Sequence, residues 1–224
     1  MIKSLFQKIL FKTGKSYTID SNIPSSLFFS FLCRRLIMLI RGVVCLQSKV
    51  FLGSGCKIKN KRNIVFGKSV TIENHCEIDG YASQKLEFGN NAKLGAYSFV
   101  TTTSHMSKFG KGLKIGNNSA CGRYCEFGAS GGIEIGNDVI MGSYISFHSE
   151  NHNFSDKSKP IREQGVTSAG IKLGNNIWVG AKVTFLDGSE VGDNSVVAAG
   201  AVVTGKFPPN VVIGGIPAKI LKEI

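Results

Sequence analysis

Six short phrases of one kind recur along the chain: FGKSV from Phe66, FGNNA from Phe88, IGNNS from Ile115, IGNDV from Ile135, LGNNI from Leu173 and VGDNS from Val191. Each reads as an apolar residue, a glycine, two small or polar residues, then a small or β-branched one. The next apolar residue stands two positions further on, at Ile72, Leu94, Cys121, Met141, Val179 and Val197. The period is six. The glycines Gly67, Gly89, Gly116, Gly136, Gly174 and Gly192 follow one another at irregular steps. Eighteen-residue coils, three hexapeptides each, restore a regular spacing once inserts of four, nine, two and twenty positions are set aside; the last step needs none. Such a coil turns three corners, so short strands alternate with tight turns. Gly, Asn and Asp after each strand read as residues that tolerate φ > 0 there. One coil cannot bury its apolar face, so successive coils must stack. At about 4.8 Å per strand layer, seven or so coils make a prism roughly 30–35 Å tall. Phe66, Phe88, Phe127, Phe147, Phe185 and Val203 are among the residues the repeat turns inward.

With 224 residues the chain can hold one domain with a sizeable core. Its six cysteines contain no C-x-x-C pair, and Cys76, Cys121 and Cys125 fall where the repeat wants small inward side chains. No metal site is expected. Unpaired thiols favour a reducing compartment, which points to the cytoplasm. The net charge of +12 is uneven: residues 1–48 carry seven Lys and Arg against Asp20 alone. That imbalance suits an anionic partner. Nucleic acid is not expected, because the basic residues are not interleaved with aromatics in a recognition motif.

Three sections follow from the pattern. Residues 1–48 lack the repeat. Met1–Lys15 places Ile2, Leu5, Phe6, Ile9 and Leu10 on one helical face, and Leu27–Leu46 is strongly apolar but interrupted by Arg34, Arg35 and Arg41. A central arginine costs roughly 2.5–3.5 kcal/mol in a spanning helix, so a bilayer span is not expected; a signal peptide fits poorly too. Two readings remain: helices in the membrane interface with Lys and Arg toward lipid phosphates, or a cap over the open edge of the first coil. Residues 49–205 form the stack, with one long loop at 148–170. Residues 206–224, introduced by Pro208–Pro209, read as a tail that leaves the repeat.

From Gly174 onward the chain reads GNNIWVGAKVTFLDGSEVGDNSVVAAGAVVTGKFPPNVVIGGIPAKILKEI. This resembles the hexapeptide-repeat acyltransferases, and most closely the branch of galactoside and maltose acetyltransferases and polysaccharide O-acetyltransferases. The resemblance covers about residues 50–224 and does not extend to 1–48. It implies an all-β fold, a left-handed parallel β-helix. It further implies a homotrimer with active sites between subunits, acetyl-CoA as co-substrate and a saccharide acceptor.

Transfer of an acetyl group to a sugar hydroxyl needs a base, and the loop FHSENHNFSDKSKPIREQG holds two imidazoles, which are largely neutral at pH 7. His152 stands where the family carries its catalytic histidine; His148 is the rival. Glu150 or a backbone carbonyl would fix the tautomer. His75 and His105 read as turn or surface histidines, and no spacing across the coils suits a zinc site. The resemblance also gives the N–H of Ala181 to the oxyanion and places Ala199 and Thr204 along the pantetheine path. It sets Lys219 and Lys222 at the nucleotide phosphates and makes Trp178 a wall of the groove. Relatives often read VTKD where this chain reads VTGK, so the lysine expected after Thr204 has moved to Lys206. The function expected is O-acetylation of a surface polysaccharide or its lipid-linked repeat unit. The alternatives are N-acetylation of an amino sugar or small acceptor, and a non-enzymatic scaffold at the membrane.

Overall fold

The computed structural model describes residues 6–7, 18–106 and 108–224. Three parallel sheets form the walls of a triangular column, a left-handed parallel β-helix. The first wall runs from Phe51–Leu52 through Thr71–Ile72, Lys93–Leu94, Ala120–Cys121, Ile140–Met141, Trp178–Val179 and Val196–Val197 to Val211–Gly215. The second runs from Lys57–Lys59 to Val202–Val203, and the third from Ile64–Phe66 to Lys206–Phe207. The repeat sets the register. Phe66 pairs with Phe88, Phe88 with Ile115, Ile115 with Ile135, Ile135 with Leu173, and Leu173 with Val191. The inserts therefore loop out without disturbing the ladder. Inside, Phe127, Phe147 and Phe185 stack at 5.0 and 4.8 Å, close to one strand spacing. The predicted inward residues are buried, save Phe66, which is half-buried against the same core.

The glycine of each repeat has a different cause from the one the sequence suggests. Gly67, Gly89, Gly116, Gly136 and Gly174 are not at positive φ. A Cβ on Gly116 would come within 2.4 Å of the carbonyl oxygen of Gly136, and one on Gly136 within 2.4 Å of that of Gly174. Close approach of the next coil excludes a side chain there. The left-handed conformation falls two residues later, at Ser69, Asn91, Asn118, Asp138, Asn176 and Asn194. At the corner between the first and second walls it falls on His75, Tyr97, Tyr124, Tyr144 and Lys182. A tyrosine is costly at φ > 0. Stacking offsets that cost: His75, Tyr97, Tyr124 and Tyr144 form a ladder with ring centroids 5.0, 5.2 and 5.0 Å apart.

Helix α1 (Ser25–Leu46) packs on the first strand of the first wall. Its arginines face the column: Arg41 donates to the carbonyl of Leu52 at 2.8 Å, Arg35 lies over the Phe51 ring and bonds Thr71, and Arg34 pairs with Glu73. Gly42 admits the close approach, since a Cβ there would strike the Val50 carbonyl at 2.0 Å. The helix thus covers an otherwise open sheet edge. The expectation that these arginines point to lipid phosphates is corrected. The amphipathic helix expected over Met1–Lys15 lies outside the described residues except at Phe6 and Gln7; Phe6 packs edge-on against Phe28. The stack also outlasts its expected end at 205. Lys206–Phe207 pairs with Glu190–Val191, Val211–Gly215 pairs with Val196–Val197, and Ala218–Glu223 folds back antiparallel on it. Pro208 and Pro209 occupy a corner, where no ladder N–H is required.

Candidate active site

Every insert of more than a few residues leaves from one corner, between the second and third walls. Two of them touch each other there: Ser104 and Lys108 of one meet Glu150 and Ser168 of the long excursion from Ser149 to Gly170. Ser149 anchors the excursion: its hydroxyl donates to the carbonyl of Gly128 at 2.6 Å and accepts the N–H of Gly131 at 2.9 Å. Beyond it, Asn151–His152 pairs antiparallel with Val166–Thr167, so His152 sits on a short hairpin. The side chain of Gln164 braces the outer turn, donating to the carbonyls of Asp156 and Lys159 at 2.7 and 2.9 Å and accepting the N–H of Asp156. The Ser158 hydroxyl and N–H both donate to the Asp156 carboxylate and hold it below the ordinary aspartate range. At the far end, the Asp187 carboxylate accepts the N–H groups of Ala169 and Gly170. A long segment with little core is therefore fixed by polar contacts to its own backbone.

His152 is exposed, and its ring makes no hydrogen bond to any other described residue. Glu150 is turned away from it. Its carboxylate accepts from the Ser104 hydroxyl at 3.2 Å and lies 3.9 Å from the Lys108 ammonium, which also reaches the Ser168 hydroxyl. Ser104 in turn meets Ser130 at 3.1 Å. His148 points outward from the second wall, and its Nε2 lies 2.6 Å from the Ser146 hydroxyl, which approaches Glu126. His75 belongs to the aromatic ladder, and His105 bridges to Lys108 in the neighbouring insert.

The residues predicted to receive the coenzyme are scattered. Ala181 and Ala199 stand at the corner between the first and second walls, one coil apart and exposed. Their N–H groups donate to nothing among the described residues, although the Ala181 carbonyl accepts from Gly200. Thr204 lies at the histidine-bearing corner. Lys206 is engaged by Glu190 at 2.8 Å, a contact that holds the Glu190 carboxyl below its ordinary range. Lys219 and Lys222 lie exposed on the returning C-terminal strand, and Trp178 stands exposed on the first wall. One chain therefore does not bring His152 and Ala181 together: they occupy different corners of the prism.

Residues 170–205 match the family model described as bacterial transferase hexapeptide (six repeats). Over that stretch the chain carries the hexapeptide repeat of these bacterial transferases. A probable acetyltransferase of Mycobacterium tuberculosis is 29% identical over 72% of this chain and 51% of its own length. The putative lipopolysaccharide biosynthesis O-acetyl transferase WbbJ of Escherichia coli is 25% identical over 75% of this chain and 76% of its own. The galactoside O-acetyltransferase of Escherichia coli is 31% identical over 59% and 64%. This chain thus spans about half of the mycobacterial relative and less than two thirds of the galactoside one. Among solved structures, a mutant of AntD, an N-acyltransferase from Bacillus cereus in complex with dTDP and coenzyme A, superposes with a TM-score of 0.59. It is 20% identical over 76% of this chain and 85% of that one, a likeness of fold.

The sequence reading missed Ser104, Lys108 and Ser168, which tie the two inserts, and Gln164 and Asp187, which shape the long one. Only Asp187 left a signal, since it precedes Gly188 at a corner where a carboxylate would accept turn N–H groups. The others depend on which loops touch, and no local pattern encodes that.

Proposed function

We propose that this chain is an acetyl-CoA-dependent O-acetyltransferase acting on a saccharide hydroxyl. The observation that carries the reading is the one long excursion of the column, which ends in a braced hairpin bearing an exposed imidazole with no partner of its own among the described residues. The ring of His152 takes the proton of the acceptor hydroxyl as that oxygen attacks, and hands it on to the departing sulfur. Acetyl-CoA supplies an activated acetyl group. The residues present suit it. Ala181 and Ala199 are small and exposed, with N–H groups to spare; the former would face the developing oxyanion. Lys219 and Lys222 would meet phosphates at the nucleotide end. Lys206 is held by Glu190 and is the weakest of these candidates.

Because His152 and Ala181 stand at different corners, the complete site needs a second copy alongside, which accords with a homotrimer. Oxygen rather than nitrogen as the acceptor is favoured by the names of two relatives, a lipopolysaccharide and a galactoside O-acetyltransferase. The column alone does not choose, since the same fold carries N-acylation in Bacillus cereus. A surface polysaccharide or its lipid-linked repeat unit, met at the membrane through residues 1–48, is the acceptor class proposed. Among the described residues no helix is long and apolar enough to cross a membrane.

The test is His152→Ala. Turnover falls about 10²–10⁴-fold while the circular-dichroism melt and CoA affinity stay unchanged. Retained turnover would exclude His152, and the same loss in His148→Ala alone would move the role there. Mass spectrometry of the surface glycan, with and without the gene, identifies the acceptor by a gain of one acetyl group.

A further inference from the structure

Among the described residues, nothing covers one face of helix α1. At about 100° per residue, Phe29, Leu36, Ile37, Ile40, Val43 and Val44 fall in a single sector about 120° wide. All six are exposed, Val44 by 73%. No Lys, Arg, Asp or Glu of the helix falls in that sector. The arginines that break the apolar run in sequence are drawn off it by the column, through Glu73, Thr71 and the Leu52 carbonyl. An apolar patch of this kind on a water-facing helix marks a binding surface.

Charge selects the occupant. Residues 1–62 hold twelve of the chain's 27 Lys and Arg but only one of its 15 Asp and Glu, so the rest of the chain carries fifteen and fourteen and is close to neutral. Eleven of the twelve excess positive charges thus belong to the helix, what precedes it, and the coil on which it packs. In that coil Lys49, Lys59 and Arg62 are exposed and form no salt bridge among the described residues. Lys61 reaches back to the carbonyl of Cys45, which ties this cationic end to the end of α1. A neighbouring copy would bring the same positive charge against itself. A bilayer with anionic headgroups accepts both halves of the surface, an apolar stripe at the acyl boundary and cations at the phosphates.

We propose that α1 lies in the interface of an anionic bilayer, its outward face buried and the first coil's Lys and Arg on headgroup phosphates. The column then stands with its first coil at the membrane. This deepens the lipid-linked part of the proposed function but rests on residues outside the candidate active site.

The experiment floats the full chain with vesicles of phosphatidylcholine alone and with about 30% phosphatidylglycerol, at low and high salt. The chain floats with the anionic vesicles at least about tenfold better than with the neutral ones, and salt weakens it. Leu36→Asp/Ile40→Asp loses that binding at least about tenfold, and Lys59→Glu/Arg62→Glu weakens it and flattens its salt dependence. Ile40→Ser serves as the milder variant should the double one not fold. Gel filtration and acetylation of a soluble acceptor stay at the wild-type level throughout, so failure here is separable from failure of the transferase reading. Absence of flotation with anionic vesicles overturns the proposal. So does flotation that survives the aspartates while the oligomer dissociates, which would make the face a contact between copies.

Discussion

At the scale of single residues, burial and partners separate side chains that look alike in the sequence. His148 and His152 lie four apart, yet one is held by Ser146 on a wall and the other, on a hairpin, has a ring that bonds nothing among the described residues. Glu150 beside them is occupied by Ser104 and Lys108. We therefore expect Glu150→Gln to leave the histidine limb of the pH–rate profile where it is, and to slow turnover far less than His152→Ala; a displaced limb would show that Glu150 orients the ring. The cysteines divide similarly. Cys56 donates to the Glu73 carbonyl at 3.0 Å, and its contact with the Cys76 thiol lowers its pKa to about 7, while Cys76 is pushed the other way. Alkylation of Cys56 should rise through about pH 7, with buried Cys76, Cys121 and Cys125 unmodified in the folded protein; peptide mapping after brief iodoacetamide exposure checks it. The sequence placed the three inward cysteines correctly because the repeat fixes facing. It did not disclose what Glu150 touches, since Ser104 is far away along the chain.

At the scale of elements, legibility follows the period. Strands, their inward residues and the size of each insert were readable because facing alternates strictly and the core admits only apolar or small residues. The repeat glycine was visible too, but its cause was not: position along a hexapeptide does not say how near the next coil comes. The distinction is measurable. Gly136→Ala drives a Cβ to 2.4 Å from the Gly174 carbonyl, whereas Gly205→Ala meets nothing within 4 Å. The first should cost about 1–3 kcal/mol, the range for forced overpacking, and lower the midpoint by roughly 2–4 °C per kcal/mol in a chain of this size. The second should be near neutral. Equal melts for the two would mean that the coils can part there without strain. The tail illustrates the opposite failure. Pro208–Pro209 looks like a stop, but a proline pair at a corner interrupts no ladder, so the stack runs on through Val211–Gly215.

At the scale of the whole molecule, the geometry of one chain is incomplete for the chemistry proposed. A column with three corners puts the histidine loop at one and the spare N–H of Ala181 at another. Side-by-side copies can join them, with each site drawing on two chains. Subunit mixing tests this directly. His152→Ala removes the base, and Ala181→Pro removes the N–H donor at the residue before left-handed Lys182, a turn position that proline favours. Each variant alone should fold, as its melt would show, and be inactive. Unfolded and refolded together in equal amounts, they should recover about one quarter of wild-type activity per site, because a random trimer pairs an intact histidine with an intact neighbouring donor at that frequency. If both groups come from the same chain, every site in the mixture lacks one of them and no activity returns.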